Sequence, residues 1–271
     1  RSCLVGSEMC IRDSTKGGCG KTTIATHLAV YASTLGLDVA LVDHDEQQSA
    51  TDWIKARPKR CADIRSIAAF EGETLDRNYE VAIHDMPAGM FGANHDVLAN
   101  CSKLIIPITP SPVDIKAALR FWMVLSNSGL LDSKTMDIGI VENRVKANTK
   151  YLKSLDEFIA RIGIPKIATL RDTQNYIRSM DAGLTLFDLP PNRVAKDIIQ
   201  WEPLMEWTGF FDIDDDELAA LLSGEGAGEL SALGSFTAVT SSDTGELKDD
   251  DRFISLDDMS LEQMYDCLLY T

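Results

Sequence analysis

At 271 residues the chain has room for one domain with appendages and a buried core, and 45% apolar with 25% charged residues is a globular composition. A formal charge of −16 argues against the broad basic footprint of a nucleic-acid reader. No run of about eighteen apolar residues occurs, since the best stretch, 104–124, is broken by Pro107, Pro110, Pro112, Asp114, Lys116 and Arg120.

The first segment, Cys3–Ser14, reads CLVGSEMCIRDS, the translation of a transposon adapter used in preparing sequencing libraries. Cys267–Thr271, CLLYT, is what the reverse complement of that adapter encodes in one frame. Residues 1–14 and 267–271 are therefore expected not to be native. Three of the six cysteines fall in these ends, leaving Cys19, Cys61 and Cys101 with no CxxC spacing. That pattern implies no disulfide framework and a reducing, cytoplasmic compartment. His27, His44, His84 and His95 form neither HExxH nor a His/Cys cluster, so no protein-built zinc site is expected.

Thr15–Thr23 reads TKGGCGKTT and runs into Ile24, Leu28, Ala29, Tyr31 and Ala32 at helical spacing, so a glycine-rich loop opens a helix. Gly17, Gly18 and Gly20 free the backbone to aim N–H groups at phosphate, Cys19 fills a variable position, Lys21 supplies charge, and Thr22 a hydroxyl for Mg²⁺. Lys16–Thr23 fit every position of the deviant phosphate-loop signature KGGxGKTT, and the chain resembles the ParA/MinD family of ATPases. The resemblance implies ATP bound by residues Lys16 to Thr23, with Lys16 reaching the partner's phosphates in an ATP-dependent homodimer.

Gly36–Asp45, GLDVALVDHD, is an apolar run ending in acids, as expected of a buried parallel strand with functional groups at its C-terminal end. It resembles the family's Asp-x-Asp motif, which implies a metal-side role for Asp43 and a water-positioning catalytic role for Asp45 beside Lys16 and Lys21. The following QQSATDW resembles plasmid-type members. Tyr79–Gly89, YEVAIHDMPAG, is a second such strand, where Asp85 resembles the Walker B acid that holds Mg²⁺ and Pro-Ala-Gly the second switch. His84 is read as packing. Between these strands the family's helix must be abbreviated, around Glu73–Arg77.

Lys103–Ala118 supplies a further strand, a proline-punctuated loop and a helix running to about Ser126. The resemblance resumes at Ile138–Arg144, where Asn143 inherits a place near adenine, and again at Leu170–Asp188, LRDTQNYIRSMDAGLTLFD, before a closing helix over Val194–Thr208. Alternating strands and helices imply an α/β fold, a P-loop NTPase three-layer sandwich with a mostly parallel central sheet. If the adapter reading holds, the first strand is truncated before Thr15, Cys3–Ser14 replaces it poorly, and the backbone of its neighbours is left open.

The ATPase domain thus spans 15–210. Residues 211–266 carry sixteen acids against Lys248 and Arg252, a net of −14, and read as a largely disordered acidic tail. The function implied is a cytoplasmic ParA-like ATPase, weak without its partner. It would dimerise on ATP with Mg²⁺, position a plasmid, chromosome region or protein assembly, and be stimulated by a ParB-like or cargo-adaptor protein. Nonspecific DNA binding, and with it nucleoid association, would use Lys55, Arg57, Lys59 and Arg60, or Arg171, Arg178, Arg193 and Lys196. Alternatives are a MinD-like membrane-surface regulator, disfavoured by the acidic tail, and a metabolic or metallocluster ATPase of the same superfamily, disfavoured by the lack of paired cysteines.

Overall fold

The computed structural model describes residues 7–12, 18–88, 95–131 and 136–210, all within the unit that runs from Arg1 to Asp212. The acidic tail expected over 211–266 and the segment 267–271 lie outside them.

Seven described strands form one sheet: β1 (Ser7–Ile11), β2 (Val39–Asp43), β3 (Arg65–Ala68), β4 (Val81–Asp85), β5 (Lys103–Ile108), β6 (Asp137–Val145) and β7 (Lys166–Arg171). Their order is β3-β2-β4-β1-β5-β6-β7, and every pairing is parallel. The helices are α1 (Lys21–Thr34), α2 (Ser49–Ala56), α3 (His95–Asn100), α4 (Pro112–Ser126), α5 (Lys150–Ile162), α6 (Gln174–Met180), α7 (Pro191–Ile198) and α8 (Glu202–Thr208). This is the expected α/β sandwich. Both faces of the sheet are covered, which is why its central strands are apolar throughout instead of alternating. Val39 and Leu41 of β2 pack into one cluster with Ile24 and Leu28 of α1, while Ala40 and Val42 pack on the other face with Ile67 and Tyr79.

The expectation of an open central slot is corrected. β1 lies between β4 and β5, in register from Ser7↔Val81 to Ile11↔Asp85 on one side and from Met9↔Lys103 to Ile11↔Ile105 on the other. A ladder of backbone hydrogen bonds makes little demand on side-chain identity, and Met9, Cys10 and Ile11 are apolar enough to be fully buried there. Arg12 follows, also buried, with its guanidinium carbon 5.3 Å from the centre of the Phe121 ring. The expectation of no disulfide is corrected as well: Cys10 is bonded to Cys101, across a Cα–Cα distance of 6.1 Å.

Two local expectations also change. Glu73–Arg77 forms no helix; the interval is crossed by edge strand β3 and a 3₁₀ turn, Ala69–Glu71. The closing helix is broken after Ile198 and restarts as α8 with a proline in its first turn, a position where the missing N–H has no intrahelical partner to lose.

Candidate functional site

In a parallel sheet the ligand crevice lies beyond the C-terminal strand ends. There a cleft of about 1040 Å³ is lined by Gly18 and Gly20–Thr23, by His44–Gln47 after β2, by Asp52, Trp53 and Ala56 of α2, and by Pro87 and Ala88 after β4. Its size suits a nucleotide. Gly18 and Gly20 have φ of +108° and +96°, a region open to glycine and costly for other residues. Gly20 caps α1, and its carbonyl accepts the first helical hydrogen bond, from Ile24 N at 3.0 Å. α1 therefore starts at the cleft, with the first-turn amides and positive dipole end that favour an anion. Lys16 and Gly17 lie outside the described residues.

Thr22 Oγ1 donates to Asp85 Oδ2 at 2.6 Å. Asp85 ends β4, is 1% exposed, and its Oδ1 has no hydrogen-bond partner among the described residues. Burial pushes its pKa up to about 7, against the Thr22 hydrogen bond and with help from the Asp43 charge. A buried carboxylate with an unused oxygen beside a threonine hydroxyl fits a hard divalent cation, so these residues suit Mg²⁺.

Asp43, paired with Asp85 across β2 and β4, is engaged otherwise. Its Oδ1 accepts from Asp45 N at 3.1 Å and its Oδ2 from Thr51 N at 2.9 Å. It thus ties the loop after β2 and the start of α2 to the strand end. Asp45 lines the cleft and accepts from Gln47 N at 3.0 Å. Between the two acids, His44 sits with Nε2 2.9 Å from Nδ1 of His84, so His84 has a side-chain partner at the site as well as a packing role. Burial lowers the pKa of both rings, His84 to about 3.

Asn143 is buried against the phosphate loop. Its Nδ2 donates to Cys19 O at 2.6 Å and its Oδ1 accepts from Arg144 N at 2.9 Å, so it buttresses the phosphate loop from behind. The next residue, Arg144, with φ +53°, lines the main cleft and also a second cavity of about 420 Å³ that includes Gly18, Thr109, Lys146, Tyr151 and Asp172. Sequence reasoning stopped at Asn143, although Arg144 belongs to the same Asn-Arg pair. Met180 and Asp181 also line the main cleft, from the stretch 170–188 that carries the resemblance, as Trp53 does from QQSATDW, whereas Phe70 lines it with no local signal that could have found it.

The profile of the CobQ/CobB/MinD/ParA nucleotide binding domain family matches residues 13–186. The chain belongs to this family. It is 25% identical over 184 residues, 64% of this chain, to "Maintenance of carboxysome distribution protein A" of Halothiobacillus neapolitanus, of which 84% is covered. It is 29% identical over 144 residues to "Protein virC1" of Rhizobium radiobacter, covering 49% of this chain and 62% of that one. Among solved structures, a putative plasmid partition protein of Borrelia burgdorferi bound to AMPPNP superposes with a TM-score of 0.58 at 18% identity, covering 74% of this chain and 99% of that one. Apo McdA of Cyanothece gives 0.59 at 16%, covering 73% and 99%. This ParA/MinD-family chain is thus a nucleotide-binding ATPase domain by membership. Among its described residues no helix is long and apolar enough to cross a membrane.

Proposed function

We propose that this ParA/MinD-family protein dimerises on ATP and positions or partitions cargo, with hydrolysis that is slow until a ParB-like or cargo-adaptor protein stimulates it. The observation that carries the reading is the Lys16–Thr23 signature of the sequence, together with the hydrogen bond that Thr22, on the cleft, makes to Asp85. Lys21, Thr23 and the amides of the loop bind phosphate, and Lys16 reaches the phosphates of the partner copy. Thr22 and Asp85 hold Mg²⁺, with Asp43 adding charge close behind. Mg²⁺ supplies charge neutralisation at the phosphates. Asp45, on the cleft wall, orients the attacking water. The relatives named for carboxysome distribution and plasmid partition support a cargo-positioning role.

The test is binding to nonspecific DNA with ATP and with ADP, at two salt concentrations, beside a Lys16→Ala control. Binding with ATP alone, lost in the control and weakened by salt, is expected. Lys21→Ala should lose nucleotide, and Asp45→Ala should accumulate an ATP-bound dimer. A Lys16→Ala protein that still dimerises on ATP would remove that lysine from its role.

A further inference from the structure

Helix α2 forms one wall of the cleft through Asp52, Trp53 and Ala56. It has only eight residues, and its N-cap, Gln48, sits at φ +58° and makes no side-chain capping bond. A helix this short has little stability of its own, so tertiary contacts must set its place. Its first turn is held by Asp43 through Thr51 N. Its other end is held from far along the chain.

That second anchor is the segment Gly183–Asp188. Arg57, the C-cap of α2, makes a two-pronged ion pair with Asp188, Nη1 to Oδ2 and Nη2 to Oδ1, both at 3.0 Å. The pair is almost wholly buried, with side chains 5% and 11% exposed. Arg57 Nη1 also donates to Gly183 O at 3.3 Å, and Trp53 Nε1 donates to Leu184 O at 3.2 Å. Backbone meets backbone here: a Cβ on Gly183 would lie 2.4 Å from the Ala56 carbonyl carbon. Asp188 Oδ2 additionally accepts from Thr185 N at 2.8 Å and Thr185 Oγ1 at 2.9 Å, closing the 3₁₀ turn Leu186–Asp188.

The same turn is fastened to the phosphate-loop helix. Leu186 N donates to His27 Nε2 at 3.1 Å, and His27 Nδ1 lies 2.7 Å from Thr23 O. A continuous set of buried polar contacts therefore runs from Thr23, at the loop, through His27, Leu186 and Asp188 to Arg57 and the cleft wall. We propose that the Gly183–Asp188 segment is a strut that fixes α2 against the phosphate-loop helix, and that Asp188 and Arg57 are positioning residues for the nucleotide-bound cleft. The proposal rests on the ATPase reading above and extends it to residues that touch no nucleotide. A two-pronged carboxylate–guanidinium pair suits such a strut, since it fixes orientation as well as distance.

The experiment is amide hydrogen exchange on the full chain, free and with ADP or ATP, for the unaltered protein, Asp188→Asn, Arg57→Lys and the double variant. Arg65→Ala, which removes an exposed ion pair with Glu73, is the control. With nucleotide bound, each single variant should exchange its α2 amides about tenfold faster while α1 stays protected, and the double variant should go little further. In parallel, kcat for ATP should fall about tenfold with KM within about twofold, the pattern of lost positioning rather than lost binding. Protection of α2 equal to that of the unaltered protein would overturn the strut and leave the ATPase reading intact. No nucleotide-dependent protection of α1 in the unaltered protein would overturn the ATPase reading and the strut with it. If Asp188→Asn exchanges fast throughout its sheet, the fold is lost, and Arg57→Lys, which keeps the positive charge, decides the matter.

Discussion

Thr22 and Asp85, 63 residues apart in the chain, share a 2.6 Å hydrogen bond at the floor of the nucleotide cleft. The first turn of α1 and the end of β4 meet there because those two elements pack directly on one another in the core, where Ile24 and Ile83 are fully buried. A single contact thus joins the phosphate-binding helix to the acid best suited to hold a cation.

Asp85→Asn is expected to stabilise the nucleotide-free protein. Burial opposes the carboxylate's charge, as its raised pKa of about 7 records, and a neutral amide escapes that cost. Above pH 7 the melting temperature should rise by several degrees, at about 2–4 °C per kcal/mol for a domain of this size. The further rise in Tm that Mg²⁺ and nucleotide together give the unaltered protein should disappear. Scanning calorimetry with and without Mg²⁺–ADP reads both effects; a less stable Asp85→Asn protein would contradict the first.

The contribution of His27 to stability falls on mild acidification, opposite in sign to that of Asp85. Its ring is fully buried, stacked 4.9 Å from Trp201, with Nδ1 beside Thr23 O and Nε2 accepting Leu186 N. Only the neutral Nδ1–H tautomer satisfies both contacts, because a proton on Nε2 would face the Leu186 N–H. Burial moves its pKa from 6.5 down to about 4, against the Thr23 carbonyl and the Asp188 charge. The unfolded chain therefore takes up the proton first. Stability present above about pH 6.5 is lost as pH falls toward 4, at up to about 1.4 kcal/mol per pH unit. Buried His84 adds a comparable slope of the same sign, and Asp85, with its pKa raised to about 7, one of opposite sign, so the effect is read as a difference: between pH 7 and pH 5, denaturant unfolding should show the unaltered protein losing about 1–2 kcal/mol more than His27→Gln.

Gly20→Ala should disable the phosphate loop. Gly20 has φ +96°, and an added Cβ would fall 2.2 Å from Asn143 Nδ2. Backbone strain and steric overlap together are expected to cost about 2–4 kcal/mol and to abolish detectable nucleotide binding. Asn143→Ala alone, which removes the bond to Cys19 O, should weaken nucleotide binding by about 1–3 kcal/mol through a looser loop. Because the two residues collide, the Gly20→Ala/Asn143→Ala protein should lose less stability than the two single losses combined. Additive losses would mean that the clash is relieved by another route.

Gly139→Ala offers a test away from the cleft. A Cβ there would lie 2.4 Å from Ile167 Cγ1 and 3.2 Å from Trp207 Cζ2, pressing β6 against β7 and α8. A loss of about 1–3 kcal/mol in unfolding free energy with unchanged nucleotide affinity is expected.

What the sequence by itself determined were features written in short stretches of chain. Glycine spacing and two lysines announced the loop before α1, apolar runs ending in acids announced β2 and β4, and the alternation of the two kinds of element announced a parallel sheet. These follow from backbone freedom and burial period, which neighbouring residues set among themselves. The tertiary structure alone decided which distant groups meet. It set Asn143 against Cys19, put Arg144 on the cleft, paired Cys10 with Cys101, seated Ser7–Ile11 in the central slot and tied Arg57 to Asp188 across 131 residues. Such contacts depend on packing brought about by crossovers and buried faces, and a side chain's local sequence carries no record of which partner the fold will bring to it.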